Sequence, residues 1–305
     1  MTTHLDEPTL AERLGFAAHD RVAVIHSDDI GMCHAANVGA FEALLEGHAT
    51  CGSIMVPCPW FREAAERARV HPDLDLGVHL TLNSEWPHYR WGPVAGRSAV
   101  PSLLDDQGFL PRTSLEVVQK ARVEEVEIEL RAQLQMALDA GLEVTHLDSH
   151  MGTCFFPPLI PVYKKLAIEF QLPAFASHTD EATLEAAGLA GAGPILRELV
   201  AVMGAEGFPI FDNVDANSLS FAPGDGRAHN EKRIAGLKPG LNYLICHPAL
   251  DGDELRSVTP DSAHQRDFER RFYAGAEGAE VLAQHGVKTL GMRPLRDLLR
   301  SDRGS

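Results

Sequence analysis

Residues 22–31 read VAVIHSDDIG: four apolar residues, three of them β-branched, run straight into His26, Ser27, Asp28 and Asp29. Such a run reads as a buried strand. A buried strand ending in two adjacent acids implies that something there holds charge. The pattern recurs further on. In LGVHLTL (76–82) His79 breaks an otherwise apolar strand, and THLDSH (145–150) closes another. His247 directly follows LNYLIC (241–246). In THLDSH the period of two puts His146, Asp148 and His150 on one face for as long as the chain stays extended.

Between these stretches the chain alternates. Strands are predicted at 22–26, 50–56, 76–82, 142–147, 172–176, 209–214, 241–246 and 287–290. Helices are predicted at 35–46, 60–70, 115–140, 157–170, 181–203 and 261–284. Within the third helix Val126, Leu130, Leu134 and Leu138 form a one-sided stripe, and Gly47, Gly141 and Gly286 stand just past helix ends. Strand–helix alternation of this kind predicts an α/β fold with a parallel sheet, closed as a barrel or open. No repeat or linker divides the chain, so 1–305 is expected to be a single domain. Four strands carry polar residues at or near their carboxyl ends, where both β/α barrels and open α/β sheets hold ligands.

The exception to the rhythm is 83–111, NSEWPHYRWGPVAGRSAVPSLLDDQGFLP, rich in Pro, Gly and aromatics. It is too long for a plain connection. We expect an active-site flap or insertion loop, with packing against the outer helices as the alternative.

The 305 residues carry a net charge of −16, which argues against nucleic acid or an anionic membrane as partner and suits a neutral or cationic small substrate. The five cysteines are odd in number and show no C-x-x-C pair, as expected of reduced thiols in the cytoplasm. The first residues lack the basic and apolar regions of a secretory signal, and no window offers a membrane span. A homodimer is compatible with the sequence.

Taken singly the polar residues are weak signals: Asp29 suits a helix cap near His34, and His79 suits a hydrogen-bonded core. Together they point to a metal. Two imidazoles and a carboxylate leave positions open for water and substrate. Imidazole favours zinc, cobalt, nickel or iron, while a site completed by water accepts magnesium or manganese. One acid can ligate while its neighbour takes a proton from water. Spacing alone allows either His146 or His150 as the ligand.

The ordered set HSDDIG, GVHLTLN, THLDSH and ICHPA resembles the YdjC/ChbG-type carbohydrate deacetylases, from residue 22 to about 250, and LGMRPLRDLL (290–299) resembles their closing strand and helix. The resemblance implies a single-domain, distorted, TIM-barrel-like (β/α) barrel of about seven to eight parallel strands, related to polysaccharide deacetylases. It implies an enzyme of carbohydrate metabolism that uses one divalent metal ion (zinc or magnesium, with cobalt, nickel or manganese as alternatives). Its partner would be a small N-acetylated saccharide. Asp29, His79 and His150 would be the ligands, Asp28 the general base, and His247 the general acid or oxyanion-stabilising group. His146 and Asp148 would orient ligands. Two positions depart from the family pattern: His26 replaces the usual Asn, and DSH continues as MGTCFF, placing Met151 beside the metal. His26, Trp86, Tyr89, Trp91 and Met151 are the candidate substrate contacts. The alternatives are a metal hydrolase of another amide or ester, and a non-catalytic sugar-binding relative.

Overall fold

The computed structural model describes residues 8–186 and 190–304. Its strands are β1 (Arg21–Ile30), β2 (Cys51–Ile54), β3 (Leu76–Leu80), β4 (Val144–Ser149), β5 (Asn213–Asp215), β6 (Gly240–Cys246) and β7 (Val287–Thr289). Its helices are α1 (Leu10–Arg13), α2 (His34–Leu45), α3 (Phe61–Val70), α4 (Ser114–Lys120), α5 (Val123–Asp139), α6 (Ile160–Phe170), α7 (Glu181–Ala186), α8 (Gly193–Gly204), α9 (Gly226–Ala235), α10 (Asp253–Val258), α11 (Ala263–Ala274), α12 (Ala276–Gln284) and α13 (Arg293–Gly304). No helix among the described residues is long and apolar enough to cross a membrane.

β1 is the central strand, buried along its length after Arg21. β6 runs parallel along one flank in unbroken register, from Arg21 opposite Gly240 to Ser27 opposite Cys246. The other flank is shared: β7 pairs with Arg21 to Ala23, and β2 takes over from His26. β2, β3 and β4 follow in parallel order. The remaining gap, between β4 and β5, is closed by single bridges, Leu147 to Ala174 and Ser177 to Phe211. β5 then pairs with β6. The result is the expected distorted α/β barrel, with seven parallel strands and helices around them. The strands predicted at 172–176 and 209–214 survive only as these bridges and the short β5.

The helices predicted at 35–46 and 60–70 match α2 and α3 to within one residue at each end, whereas the longest predicted segments are divided, for local reasons. The segment 115–140 divides into α4 and α5 because Ala121 and Arg122 adopt extended backbone. The segment 261–284 divides at Gly275, where a Cβ would lie 2.5 Å from the Arg271 carbonyl oxygen. The prediction at 181–203 includes 187–189, which lie outside the described residues; α7 and α8 flank them. In α5 the buried stripe is Val126, Leu130, Leu134 and Ala137, while Leu138 is exposed. A helical turn of 3.6 residues moves the stripe back one position over that length. Glu125, Glu129 and Gln133 are buried on α5 as well.

The 83–111 segment uses those buried groups. The Glu129 carboxylate accepts from the amides of Val94 and Ala95, and Glu125 accepts from Ser102 N. The segment therefore packs on an outer helix, and it also reaches the mouth of the barrel. α2 packs on the chain that follows β6. A Cβ at Gly39 would lie 2.5 Å from Ala249 Cα and 2.7 Å from the Pro248 carbonyl carbon. This contact fixes the backbone next to His247. Gly39→Ala should lower stability by about 1–3 kcal/mol through overpacking, measured by urea denaturation; an unchanged midpoint would refute the close approach.

Candidate active site

β1 carries Asp28 and Asp29 at its carboxyl end. The strand runs four residues past its predicted end, so both acids lie within it rather than after it. Asp29 has φ 63°, a left-handed conformation that costs a non-glycine residue about 1 kcal/mol or more. It does not cap α2, whose N-cap is Cys33 with no side-chain hydrogen bond. Its carboxylate turns instead to Arg266 on α11, which donates from Nη1 to Oδ2 over 2.8 Å. Burial alone would push Asp29 up, but Arg266, His150 and His247 outweigh it and hold the carboxyl well below the usual range.

The other oxygen, Asp29 Oδ1, is buried and makes no hydrogen bond. It lies 3.3 Å from His150 Nδ1 and 3.7 Å from His79 Nε2. Asp29, His79 and His150 thus place three ligating atoms within 4.8 Å of one another. His79 Nδ1 lies 2.8 Å from Asp148 Oδ1, and Ser53 donates to Asp148 Oδ2 over 2.9 Å. With its Nδ1–H engaged by Asp148, His79 turns Nε2 toward Asp29. Burial pushes His79 down, but Asp148 overrides it and the net shift is upward. His150 sits between two carboxylates, with Nε2 3.1 Å from Glu85 Oε2. Burial depresses this ring too, yet Glu85 and Asp29 raise it to about 10. A buried oxygen without a partner, two inward-facing imidazole nitrogens and a field that favours positive charge fit a divalent cation.

The THLDSH residues separate by depth. β4 ends at Ser149, and His150 opens a 3₁₀ turn, so the three do not share one strand face. His150 meets Asp29, Asp148 braces His79, and His146 lies deeper, with Nε2 2.7 Å from His26 Nε2. His26 is fully buried, with Nδ1 2.5 Å from Asp28 Oδ1. It is therefore a support for Asp28, not a surface that substrate can touch.

His247 Nε2 lies 3.9 Å from Asp28 Oδ2. Its Nδ1 is 2.9 Å from Ser218 Oγ, which donates to Glu269, and Glu269 also accepts from His247 N and from Arg233. Burial takes His247 down to about 4, with Asp29 pulling upward and Arg266 adding to the depression. The ring is neutral at pH 7.

The aromatic candidates divide. Trp91 is 3% exposed, so it offers no face to a ligand; its ring packs on those of Trp86, Tyr89 and His150. Trp86 and Tyr89 are half-buried, and Tyr89 donates its hydroxyl to the Met32 carbonyl oxygen. Met151 is exposed, with φ 53°.

Several participants carry no sequence signal. Arg266 stands 237 positions from Asp29 on what reads as an outer helix. Ser53, Ser218 and Glu269 resemble ordinary polar residues, and Glu85 lies in an aperiodic segment.

The fold and site define a class: a parallel α/β barrel with an acid–histidine cluster at the carboxyl ends of its strands. The family model described as YdjC-like protein matches residues 22–284, and the chain belongs to that family. A carbohydrate deacetylase of Thermus thermophilus is 37% identical over 259 residues, which is 85% of this chain and 89% of that protein. One from Thermoanaerobacter pseudethanolicus is 24% identical over 87% of this chain and 95% of its own. Among solved structures, a candidate cellobiose-phosphate cleavage protein from Enterococcus faecalis superimposes with a TM-score of 0.71 at 23% identity. That match covers 90% of this chain and 99% of the other, and it bears on the fold.

Glu269 supplies a pH prediction. Burial raises its carboxyl from 4.5 to about 7, against the pull of Arg233. Between those values the folded chain keeps a proton that the unfolded chain has released. The stability this group contributes is therefore lost as pH rises through that window. Glu269→Gln should become more stable relative to wild type from pH 4.5 to 7. A constant difference in urea midpoint across the window would contradict the shift.

Proposed function

We propose that the protein is a metal-dependent hydrolase that removes an N-acetyl group from an amino sugar or short N-acetylated saccharide. The observation that carries this is the convergence of His79 and His150 on the unpartnered Oδ1 of Asp29, with a second carboxylate, Asp28, beside it. Membership of a family whose relatives are named carbohydrate deacetylases supports the substrate class.

Asp29, His79 and His150 would hold one divalent ion, which supplies Lewis acidity toward an acyl oxygen and lowers the pKa of water. Imidazole donors suit zinc, cobalt or nickel, and water-completed coordination admits magnesium or manganese. Asp148 and Ser53 fix the His79 ring, and Glu85 fixes His150. Asp28 takes the proton from the attacking water through Oδ2, the oxygen nearer His247. His247, neutral and held by Ser218, faces the same space. With its Nδ1–H donated to Ser218, Nε2 is free to take up the proton that Asp28 removes from water, and the imidazolium so formed would hydrogen-bond the developing oxyanion or protonate the leaving nitrogen. The 83–111 segment forms one wall through Glu85, Trp86 and Tyr89, and exposed Met151 lies at the rim.

The test is acetate release from N-acetylglucosamine and its short β-1,4 oligomers, using metal-stripped protein reloaded with zinc, cobalt, nickel, manganese or magnesium. Release should require metal. Asp28→Asn should lower kcat by about 10²–10⁴-fold, the range for a general base, with metal content unchanged by elemental analysis. His79→Ala should lose the metal itself. Equal turnover by metal-free protein, or by Asp28→Asn, would overturn the proposal.

A further inference from the structure

Behind Asp28 a line of side chains runs from the mouth of the barrel to its amino end. Asp28 Oδ1 meets His26 Nδ1 at 2.5 Å, and His26 Nε2 meets His146 Nε2 at 2.7 Å. His146 Nδ1 meets Thr145 Oγ1 at 2.9 Å, and Thr145 Oγ1 bonds Asp75 Oδ1. Asp75 Oδ2 accepts from Arg293 N over 2.6 Å. His26, His146 and Thr145 are 0% exposed, so bulk solvent does not reach them. A Cβ at Gly77 would fall 2.6 Å from His146 Nε2; a glycine there leaves room for the ring.

Counting protons limits what this line can do. A neutral imidazole has one N–H, and a threonine hydroxyl has one proton to give. Two facing Nε2 atoms need one donor and one acceptor. Burial holds His146 at about 3, so that ring is neutral and two arrangements remain. In the first, Asp75 carries a proton and gives it to Thr145 Oγ1. Thr145 then donates to His146 Nδ1, His146 Nε2–H donates to His26 Nε2, and His26 Nδ1–H donates to Asp28.

In the second, three protons have each moved one place: from Asp75 to Thr145, from Thr145 to His146 Nδ1, and from His146 Nε2 to His26 Nε2. Asp75 is then a carboxylate, and His26 is an imidazolium that still donates to Asp28 or passes that proton to it. Asp28 Oδ1 is engaged in both. Burial raises Asp75, in line with the first arrangement. The line lies close to other groups: Asp148 Oδ2 is 3.7 Å from His26 Nε2, and Tyr243 stacks on His26 at 4.9 Å.

We propose that His26 is the positioning residue for the general base: it occupies Oδ1 of Asp28, leaves Oδ2 to receive the proton, and takes its donor direction through His146 and Thr145 from Asp75. This rests on the assignment of Asp28 as base.

Asp75→Asn fixes the direction. Arg293 N–H requires the amide oxygen, so the amide NH₂ must face Thr145 and the hydroxyl proton must go to His146. In ¹⁵N-histidine NMR of the zinc-loaded protein, Asp75→Asn should show His146 protonated at Nε2 and His26 at Nδ1. His146 protonated at Nδ1 would overturn the proposal. Thr145→Val should lower kcat roughly 10- to 100-fold, as loss of an orienting partner does, with KM and metal content as in wild type. Thr145→Ser should restore it. Wild-type kcat in the Val variant, or equal loss in the Ser variant, would overturn the relay. A fully active Asp28→Asn enzyme would instead refute the base assignment, and the NMR result would still decide the relay.

Discussion

The structure depends on balancing three carboxylates packed into the mouth of one barrel. Asp28, Asp29 and Asp148 are each less than a tenth exposed, and an unpaired buried charge costs several kcal/mol. Each is matched by its own partner: His26, two residues back on β1, for Asp28, Arg266 of α11 for Asp29, and His79 of β3 for Asp148. Those pairings explain the surrounding architecture. α11 must dock where its arginine reaches β1, and β3 must lie beside β4 in a register that sets His79 opposite Asp148. After the three matches two oxygens are left over, Asp29 Oδ1 facing the imidazoles of His79 and His150 and Asp28 Oδ2 facing His247, and the chemistry gathers around them.

The same logic shows why the site is a joint product of distant segments. Burial raises the energy of every charged form, and the neighbours of each group either overcome that push or yield to it. His150 is raised by two acids and His247 is depressed, although both are histidines at the carboxyl ends of strands. Two imidazoles with opposite tendencies in one cavity suit different tasks, one beside a cation and one exchanging a proton.

Much of this was legible in the sequence. The apolar run before Asp28 and the strand–helix alternation pointed to a parallel α/β sheet with the acids and histidines at one end, and the family resemblance implied its closure into a barrel. These signals are local. The sequence could not show the separation by depth of His146 from His150, because that depends on where β4 stops and a 3₁₀ turn begins. Nor could it show Arg266, whose helix reads as amphipathic cover; only tertiary packing distinguishes a buried guanidinium from an exposed one. The weak strands at 172–176 and 209–214 were over-read because apolar content suggests a strand without supplying a continuous partner. In 83–111, buried Glu125 and Glu129 hold the backbone from a helix whose acids read as solvated.

The closure of the barrel is uneven, and this divides the molecule mechanically. β1 and β6 are joined by an unbroken ladder, whereas among the described residues β4 and β5 are connected through two isolated bridges. Cooperative opening begins where few main-chain bonds must break, so the arc from Ala174 to Phe211 is the seam of the ring. Asp28, Asp29, His79, His146, Asp148 and His247 all come from the firmly laddered strands or their immediate ends. Breathing at the seam can therefore change the girth of the barrel without disturbing the distances among the groups that do the chemistry.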